Sequence, residues 1–213
     1  RGQADRASLS PGRQSPSRPS ARYARSRMRE LKLPGVRAGA ALYGAGTTLV
    51  VLGHGAGGDR TTPMLITLAE ALAASGRAAL LYNFPYAERG AGRPDPPAVL
   101  EATCRAAAAA GQAESGARRV VHGGRSMGGR IASQLVAQGE PAAGLVFLAY
   151  PLHPPGRPEQ LRDAHLGRIS APMLLPLGLG AAEGGQPLPG RPQDPGVLDG
   201  EPDFLISFHE SHR

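Results

Sequence analysis

Short apolar runs alternate with longer stretches of helical pattern along the middle of this chain of 213 residues. The apolar runs at 47–52, 78–82 and 145–150 have the length expected of strands that are buried on both faces. Alanine- and leucine-rich stretches of helical pattern lie between them. This alternation predicts an α/β fold, in which helices cover both faces of a mostly parallel sheet.

The same pattern predicts the individual elements. Thr61 or Thr62 is expected to cap the first helix, which starts at Pro63 and is closed by Ser75-Gly76. The predicted strands are 31–42 (an edge strand or hairpin), 47–52, 78–82, 120–122, 145–150 and 173–177. The predicted helices are 63–74, 98–110, 129–137 and 159–166. A loop rich in proline and glycine, residues 84–97, separates the third strand from the second helix.

A Gly-x-Ser-x-Gly motif, Gly124 to Gly128, lies directly between the predicted strand at 120–122 and the predicted helix at 129–137. A sharp turn between a strand and a helix is the context of a nucleophile elbow, which holds a serine hydroxyl out above the sheet. Ser126 is therefore a candidate nucleophile. The alternative is a glycine-rich turn whose serine only caps the helix.

A second glycine-rich loop, His54 to Asp59, follows the predicted strand at 47–52. Small residues at that place leave backbone N–H groups free to stabilise a developing negative charge, as in an oxyanion hole. The expected donors are the N–H groups of Ala56 and of Met127, the residue after the candidate nucleophile. A phosphate cradle and a plain glycine turn are the alternatives, and the serine motif downstream favours acyl transfer.

The formal charge of +7 belongs to one end of the chain. Residues 1–29 contain eight arginines and one acid, whereas the 16 basic and 16 acidic residues from Glu30 onward cancel. We expect residues 1–27 to be a disordered basic tail, with native translation starting at Met28. A phosphate-binding arm is the alternative, but the neutral body does not indicate nucleic acid as a partner.

Other features of the sequence bear on membrane association, disulfide bonding and the cellular compartment. The sequence has no apolar run of membrane-spanning length and nothing that resembles a secretory signal, so no membrane association is expected. Its single cysteine, Cys104, excludes an internal disulfide framework and is expected to be a small buried hydrophobic residue. The cytoplasm is the expected compartment. The sequence does not indicate an oligomeric state.

Four separated blocks of the sequence together resemble bacterial α/β-hydrolases related to the KANL-type hydrolase-like proteins of eukaryotes, near the dienelactone hydrolases. The blocks are Leu52-Gly53-His54-Gly55-Ala56-Gly57, Tyr82-Asn83-Phe84-Pro85-Tyr86, Gly123-Gly124-Arg125-Ser126-Met127-Gly128-Gly129-Arg130 and Tyr150-Pro151-Leu152-His153-Pro154-Pro155-Gly156. The resemblance covers 28–173. It implies an α/β-hydrolase fold for a core of 28–177, Ser126 as the nucleophile and neither a cofactor nor a metal.

The resemblance ends after Met173, and residues 178–213 are expected to be a divergent, irregular segment. The family has an aspartate where this chain has Ala181, and the nearest acid is Glu183. The 36 residues from Gly178 hold seven glycines and five prolines, which is too broken a pattern for a helix and a strand. A shifted reading frame or a divergent terminus would explain this incomplete C-terminal part.

A serine hydroxyl needs a histidine that accepts its proton and an acid that orients the histidine. The expected order along the chain is serine, then acid, then histidine. His209, which follows a strand-like stretch at 204–208, is the histidine that fits this order. Glu183 is the candidate acid, with Asp194 and Asp199 behind it. His54 is expected to support the glycine-rich loop instead, and the remaining histidines are expected to be structural or superficial.

Two functional classes follow from these residues. The first is a serine hydrolase that cleaves a small-molecule ester, thioester or lactone through an acyl-enzyme. The second is a catalytically inactive α/β-hydrolase-like protein with an incomplete triad, which would serve as a scaffold or bind partners.

Overall fold

A mostly parallel sheet of seven strands forms the centre of residues 28–175, the part of the chain that the computed structural model describes. Its strands are β1 (Arg29–Lys32), β2 (Gly39–Tyr43), β3 (Thr48–Gly53), β4 (Ala78–Tyr82), β5 (Arg119–Arg125), β6 (Gly144–Leu148) and β7 (Met173–Leu174). The α-helices are α1 (Pro63–Ala74), α2 (Pro85–Glu88), α3 (Pro97–Ser115) and α4 (Met127–Ala137). The α/β architecture predicted from the sequence is confirmed.

The sheet has the strand order β1-β2-β4-β3-β5-β6-β7. Strands β1 and β2 form the hairpin allowed by the sequence pattern, and β2 pairs antiparallel with β4. The pairs β3–β4, β3–β5, β5–β6 and β6–β7 are parallel. The carboxyl ends of β3 and β5 therefore lie side by side, with Gly53 opposite Gly124, and they bring both glycine-rich loops to one edge of the sheet.

Two apolar layers cover the faces of the sheet. Helix α1 packs Leu65 and Ala69 against one face, where the side chains of Val50 and Leu52 lie. Helices α3 and α4 pack against the other face, where Leu49 and Val51 join a larger buried cluster. Successive residues of β3 thus enter opposite layers, as the period of a strand requires, and this explains why its sequence is continuously apolar.

Helix α3 is longer than the sequence pattern indicates. The predicted helix stops at Ala110, before Gly111, whereas the observed helix continues to Ser115. A side chain on Gly111 would press against the side chain of Leu49, so the glycine allows α3 to lie close to β3. The helix ends at Gly116, which has a left-handed backbone with φ 69°.

The predicted helix at 159–166 is wrong. Residues 154–166 form successive turns. The Arg157 N–H donates to the Pro154 carbonyl, and the Arg162 N–H donates to the Leu152 carbonyl. A 3₁₀ helix, Leu166–Arg168, is the regular element found there. Because the backbone N–H of Arg162 is committed to a distant carbonyl, the i to i−4 ladder of an α-helix cannot form across this segment.

Several predictions concern residues outside the described part of the chain. These are the basic tail at 1–27, the irregular segment at 178–213 and the strand-like stretch at 204–208. Within residues 28–175, no helix is both long and apolar enough to cross a membrane.

Candidate active site

Ser126 lies in the sharp turn between β5 and α4. Its backbone has φ 51° and ψ −111°, a conformation that non-glycine residues rarely adopt. The turn is fixed by hydrogen bonds from the Ser126 N–H to the Leu148 carbonyl (2.9 Å) and from the Arg130 N–H to the Ser126 carbonyl (3.1 Å). Although Ser126 precedes α4, its side chain makes no capping hydrogen bond. Ser126 is therefore a partly exposed residue in a strained turn, and its side chain does not cap the helix.

Glycines around Ser126 allow β3, β5 and α4 to approach one another. A side chain on Gly124 or on Gly128 would collide with the carbonyl oxygen of Gly53. Gly124 also has φ 146°, which disfavours any side chain. The flanking glycines of the serine motif are therefore required by backbone contacts.

The loop that begins at His54 lies directly beside Ser126. The Ser126 Cβ is 3.7 Å from the position that a Cβ on Gly55 would take. Ala56 is exposed at the tip of this loop, while Met127 is buried as the first residue of α4. Among residues 28–175, neither the Ala56 N–H nor the Met127 N–H has a protein acceptor. The structure thus brings the candidate serine beside a loop with free backbone donors.

Two buried aromatic side chains hold this loop in place. The His54 Nδ1 is 2.8 Å from the Gly55 carbonyl oxygen, and its Nε2 is 3.1 Å from the Phe84 N–H donor. These partners place the ring proton on Nδ1 and leave Nε2 as an acceptor. Burial lowers the pKa of His54, which favours this neutral form. His54 therefore supports the loop, as the sequence analysis expects.

Tyr86 is the second support, and the sequence analysis did not assign it a role. Its hydroxyl donates to the Ala56 carbonyl over 2.8 Å. Burial, together with the nearby Asp95, raises the pKa of Tyr86 to about 12, so the phenol keeps the proton that it donates. The sequence signal for this role is the position of Tyr86 just after β4, at the carboxyl edge of the sheet, where the loop also lies.

The other described histidines form no hydrogen bond with Ser126. His122 is buried within β5, with its Nδ1 3.9 Å from the Sγ of Cys104, which is itself buried as expected. His153 is exposed. His165 contacts Ser133. Within 28–175 no imidazole is hydrogen bonded to Ser126.

The predicted base and acid are not part of this geometry. His209 and Glu183, like the alternative acids Asp194 and Asp199, lie outside the described residues. The described part of the site therefore consists of the candidate nucleophile and the loop beside it.

Arg125 is a further residue of the site that the sequence analysis did not single out. Its side chain is exposed, and its Nη1 is 3.5 Å from the position that a Cβ on Gly55 would take. A cation thus lies beside both the loop and the candidate serine. Its place directly before the serine in the motif was the signal.

Solved structures with similar folds include two hydrolases. A dienelactone hydrolase from Anabaena variabilis is 23% identical over 71% of this chain and 73% of that chain, with a TM-score of 0.55. An alpha-beta serine hydrolase homologue from Coxiella burnetii is 18% identical over 70% of this chain and 72% of that one, with a TM-score of 0.57. At these identities the likeness is one of fold.

The sequence itself gives the family. Residues 46–180 match the family model described as Alpha/beta hydrolase domain. This region contains β3 to β7, the loop at 54–59 and the turn at Ser126. The chain belongs to the alpha/beta hydrolase domain family.

Proposed function

We propose that this chain is a serine hydrolase that cleaves an ester, thioester or lactone through an acyl-enzyme on Ser126. The observation that carries the proposal is the strained turn, which places the partly exposed Ser126 beside a loop with free N–H groups. Membership in the family supports a hydrolase.

In this mechanism the Ser126 Oγ attacks the carbonyl carbon of the substrate while a general base accepts the hydroxyl proton. The negative charge that develops on the carbonyl oxygen is stabilised by the N–H groups of Ala56 and Met127. Collapse of the tetrahedral intermediate expels the alcohol, thiol or lactone alkoxide, which takes the proton from the base. Water then attacks the acyl-enzyme in the same way and releases the acid.

His209 is the proposed base and Glu183 the proposed acid that orients it. The support is their order in the sequence after Ser126, together with the engagement of His54, His122 and His165 in other contacts. The loop at 84–97 and the segment at 150–158 would line the acyl pocket.

A fluorophosphonate probe, which reacts with activated serine hydroxyls, tests the proposal. We expect the full chain to be labelled and Ser126→Ala to lose at least about 99% of the labelling, because an activated nucleophile reacts orders of magnitude faster than other serines. Ser75→Ala, which removes an exposed hydroxyl at the end of α1, is the matched control and should be labelled like the wild type.

The same probe tests the proposed base and acid. His209→Ala should slow the labelling strongly, and Glu183→Gln should slow it less. Absence of labelling in a protein that circular dichroism shows to be folded would contradict the proposal. That result would favour the non-catalytic alternative, in which the chain serves as a scaffold.

A further inference from the structure

The guanidinium of Arg125 lies beside Gly55, in the loop next to Ser126. Arg125 Nη1 and Ser126 Cβ are 3.5 Å and 3.7 Å from one point, the place where a side chain on Gly55 would begin. Because Gly55 has no side chain, that point is empty of protein atoms. Because both atoms lie close to this point, a substrate held at Ser126 would lie near the Arg125 charge.

Arg125 has no carboxylate partner within residues 28–175. The ion pairs found there are Arg29–Glu114, Arg60–Glu30, Arg89–Asp95 and Arg105–Glu140. None of these acids lies on the loop at 54–59 or on α4. The acid of that loop, Asp59, accepts hydrogen bonds from the Thr61 N–H and hydroxyl. An exposed guanidinium beside a reactive centre is thus left with its donors available.

Arg130 is a second arginine near this turn, and its Nη1 donates to the side-chain oxygen of Gln134 over 3.2 Å. Its backbone N–H is bonded to the Ser126 carbonyl, so its side chain starts one helical turn beyond the serine. Its Nε is buried and, in the described part of the chain, has no acceptor. The pKa of Arg130 is lowered, first by burial and then by the positive charge of Arg162.

We propose that Arg125 is a specificity-determining residue that binds an anionic group of the substrate, a carboxylate or a phosphate. This inference rests on the proposed function, since it names the substrate class of the same site. The favoured substrates are esters, thioesters or lactones that carry the anionic group a few carbons from the scissile carbonyl. A guanidinium suits this role because its planar pair of N–H donors matches two anionic oxygens.

Paired substrates test the proposal. The kcat/KM for a thioester of glutarate, which keeps one free carboxylate, is divided by that for the thioester of pentanoate with the same thiol. We expect this ratio to fall about tenfold in Arg125→Gln, because an exposed charge-assisted pair contributes on the order of a factor of ten. Arg125→Lys, which keeps the charge without the planar fork, should recover part of the loss.

Arg118→Gln is the matched control. Arg118 is exposed and precedes β5, at the opposite end of the strand from Arg125. The substitution Arg118→Gln removes the same charge from the protein as Arg125→Gln, and it should leave the ratio of the two kcat/KM values unchanged. An equal fall in both variants would mean that net charge alone sets the ratio, and it would overturn the proposal.

Binding to Ser126→Ala separates this proposal from the proposed function. Glutarate and inorganic phosphate are titrated into this variant and into Ser126→Ala/Arg125→Gln, with NMR shifts as the readout. Weakening of about tenfold in the double variant supports anion recognition even if the fluorophosphonate probe fails to label the protein. The ligand that binds more tightly identifies the group, whereas no binding, or binding indifferent to Arg125, overturns the proposal.

Discussion

Two serines beside one helix have opposite surroundings. Ser126 immediately precedes α4, is partly exposed and has a strained backbone with φ 51°. Ser133 lies seven residues further on, inside α4, and is fully buried. Its Oγ donates to the Arg130 carbonyl over 2.8 Å and is 2.7 Å from the Nε2 of His165. Within residues 28–175, Ser133 therefore has the histidine that Ser126 lacks.

The comparison shows that a short contact between serine and histidine does not define a nucleophile. Ser133 has regular helical backbone around it, so the neighbouring N–H groups are used in the helix and cannot stabilise an oxyanion. Its burial also leaves no room for a substrate carbonyl. Ser126 has the exposed position and the free donors, and these are the features that the sequence motif encodes.

Gly128→Ala should give the largest effect, because it breaks the turn that distinguishes Ser126. A methyl group there would collide with the Gly53 carbonyl oxygen. That oxygen belongs to the backbone of β3, so it cannot turn aside as a flexible side chain could. We expect a loss of about 3 kcal/mol in the free energy of unfolding, together with loss of fluorophosphonate labelling. Urea denaturation followed by circular dichroism gives the first quantity.

Gly57→Ala is the control for this substitution. Gly57 belongs to the loop beside Ser126, but a Cβ on it would meet nothing within 4 Å. Its free energy of unfolding should stay within about 0.5 kcal/mol of the wild type. If Gly128→Ala were equally mild, the tight packing of the turn would not be what holds Ser126 in place.

The next largest effect should be a dependence of the free energy of unfolding on pH, which arises from His54, the histidine that supports the loop beside Ser126. Burial lowers the pKa of His54 below its ordinary value of 6.5, so the unfolded chain binds its proton more readily than the folded protein does. The stabilisation by neutral His54 is therefore complete above about pH 6.5 and is lost as the pH falls toward the folded-state pKa.

His54→Gln isolates this contribution. The free energy of unfolding of the wild type should fall between pH 6.5 and pH 5, and the variant should reduce that slope by up to about 1.4 kcal/mol per pH unit. His122 and His165, whose pKa values burial also lowers, keep part of the slope. His153→Gln, which removes an exposed imidazole, is the control. An unchanged slope in His54→Gln would show that the His54 ring does not support the loop as a neutral acceptor.

The sequence predicts the turn at Ser126 better than the segment around His165. The strand at 78–82 and the helix at 63–74 have the predicted bounds, and the turn at Ser126 lies where the glycine motif places it, although β5 continues to Arg125 and α4 begins at Met127. These features depend on local rules, namely apolar runs, proline at a helix start and glycine at a close approach. Thr62, one of the two expected caps of α1, does occupy the N-cap position, but its hydroxyl donates to the Asp59 carbonyl and does not cap the helix.

The contacts around His165 depend on distant partners and have no local signal. The sequence predicts a helix at 159–166, yet a hydrogen bond from the Arg162 N–H to the Leu152 carbonyl turns this segment back on itself. Tyr150 then donates to the Arg162 carbonyl over 2.9 Å. Such long-range closures cannot be derived from periodicity, which also explains why Tyr86 was missed as a support of the loop.

Ser133→Ala should give the smallest effect and completes the comparison. It removes the hydroxyl that contacts the Arg130 carbonyl and His165 Nε2. Among the described residues, the ring then keeps the longer contact of 3.4 Å to the Tyr150 hydroxyl. We expect a loss of about 1 kcal/mol in the free energy of unfolding. Fluorophosphonate labelling should stay at the wild-type level, because the reactive position is the turn at Ser126. Loss of labelling in a folded Ser133→Ala protein would instead identify the contact between Ser133 and His165 as the reactive pair, and it would reverse the roles assigned to the two serines.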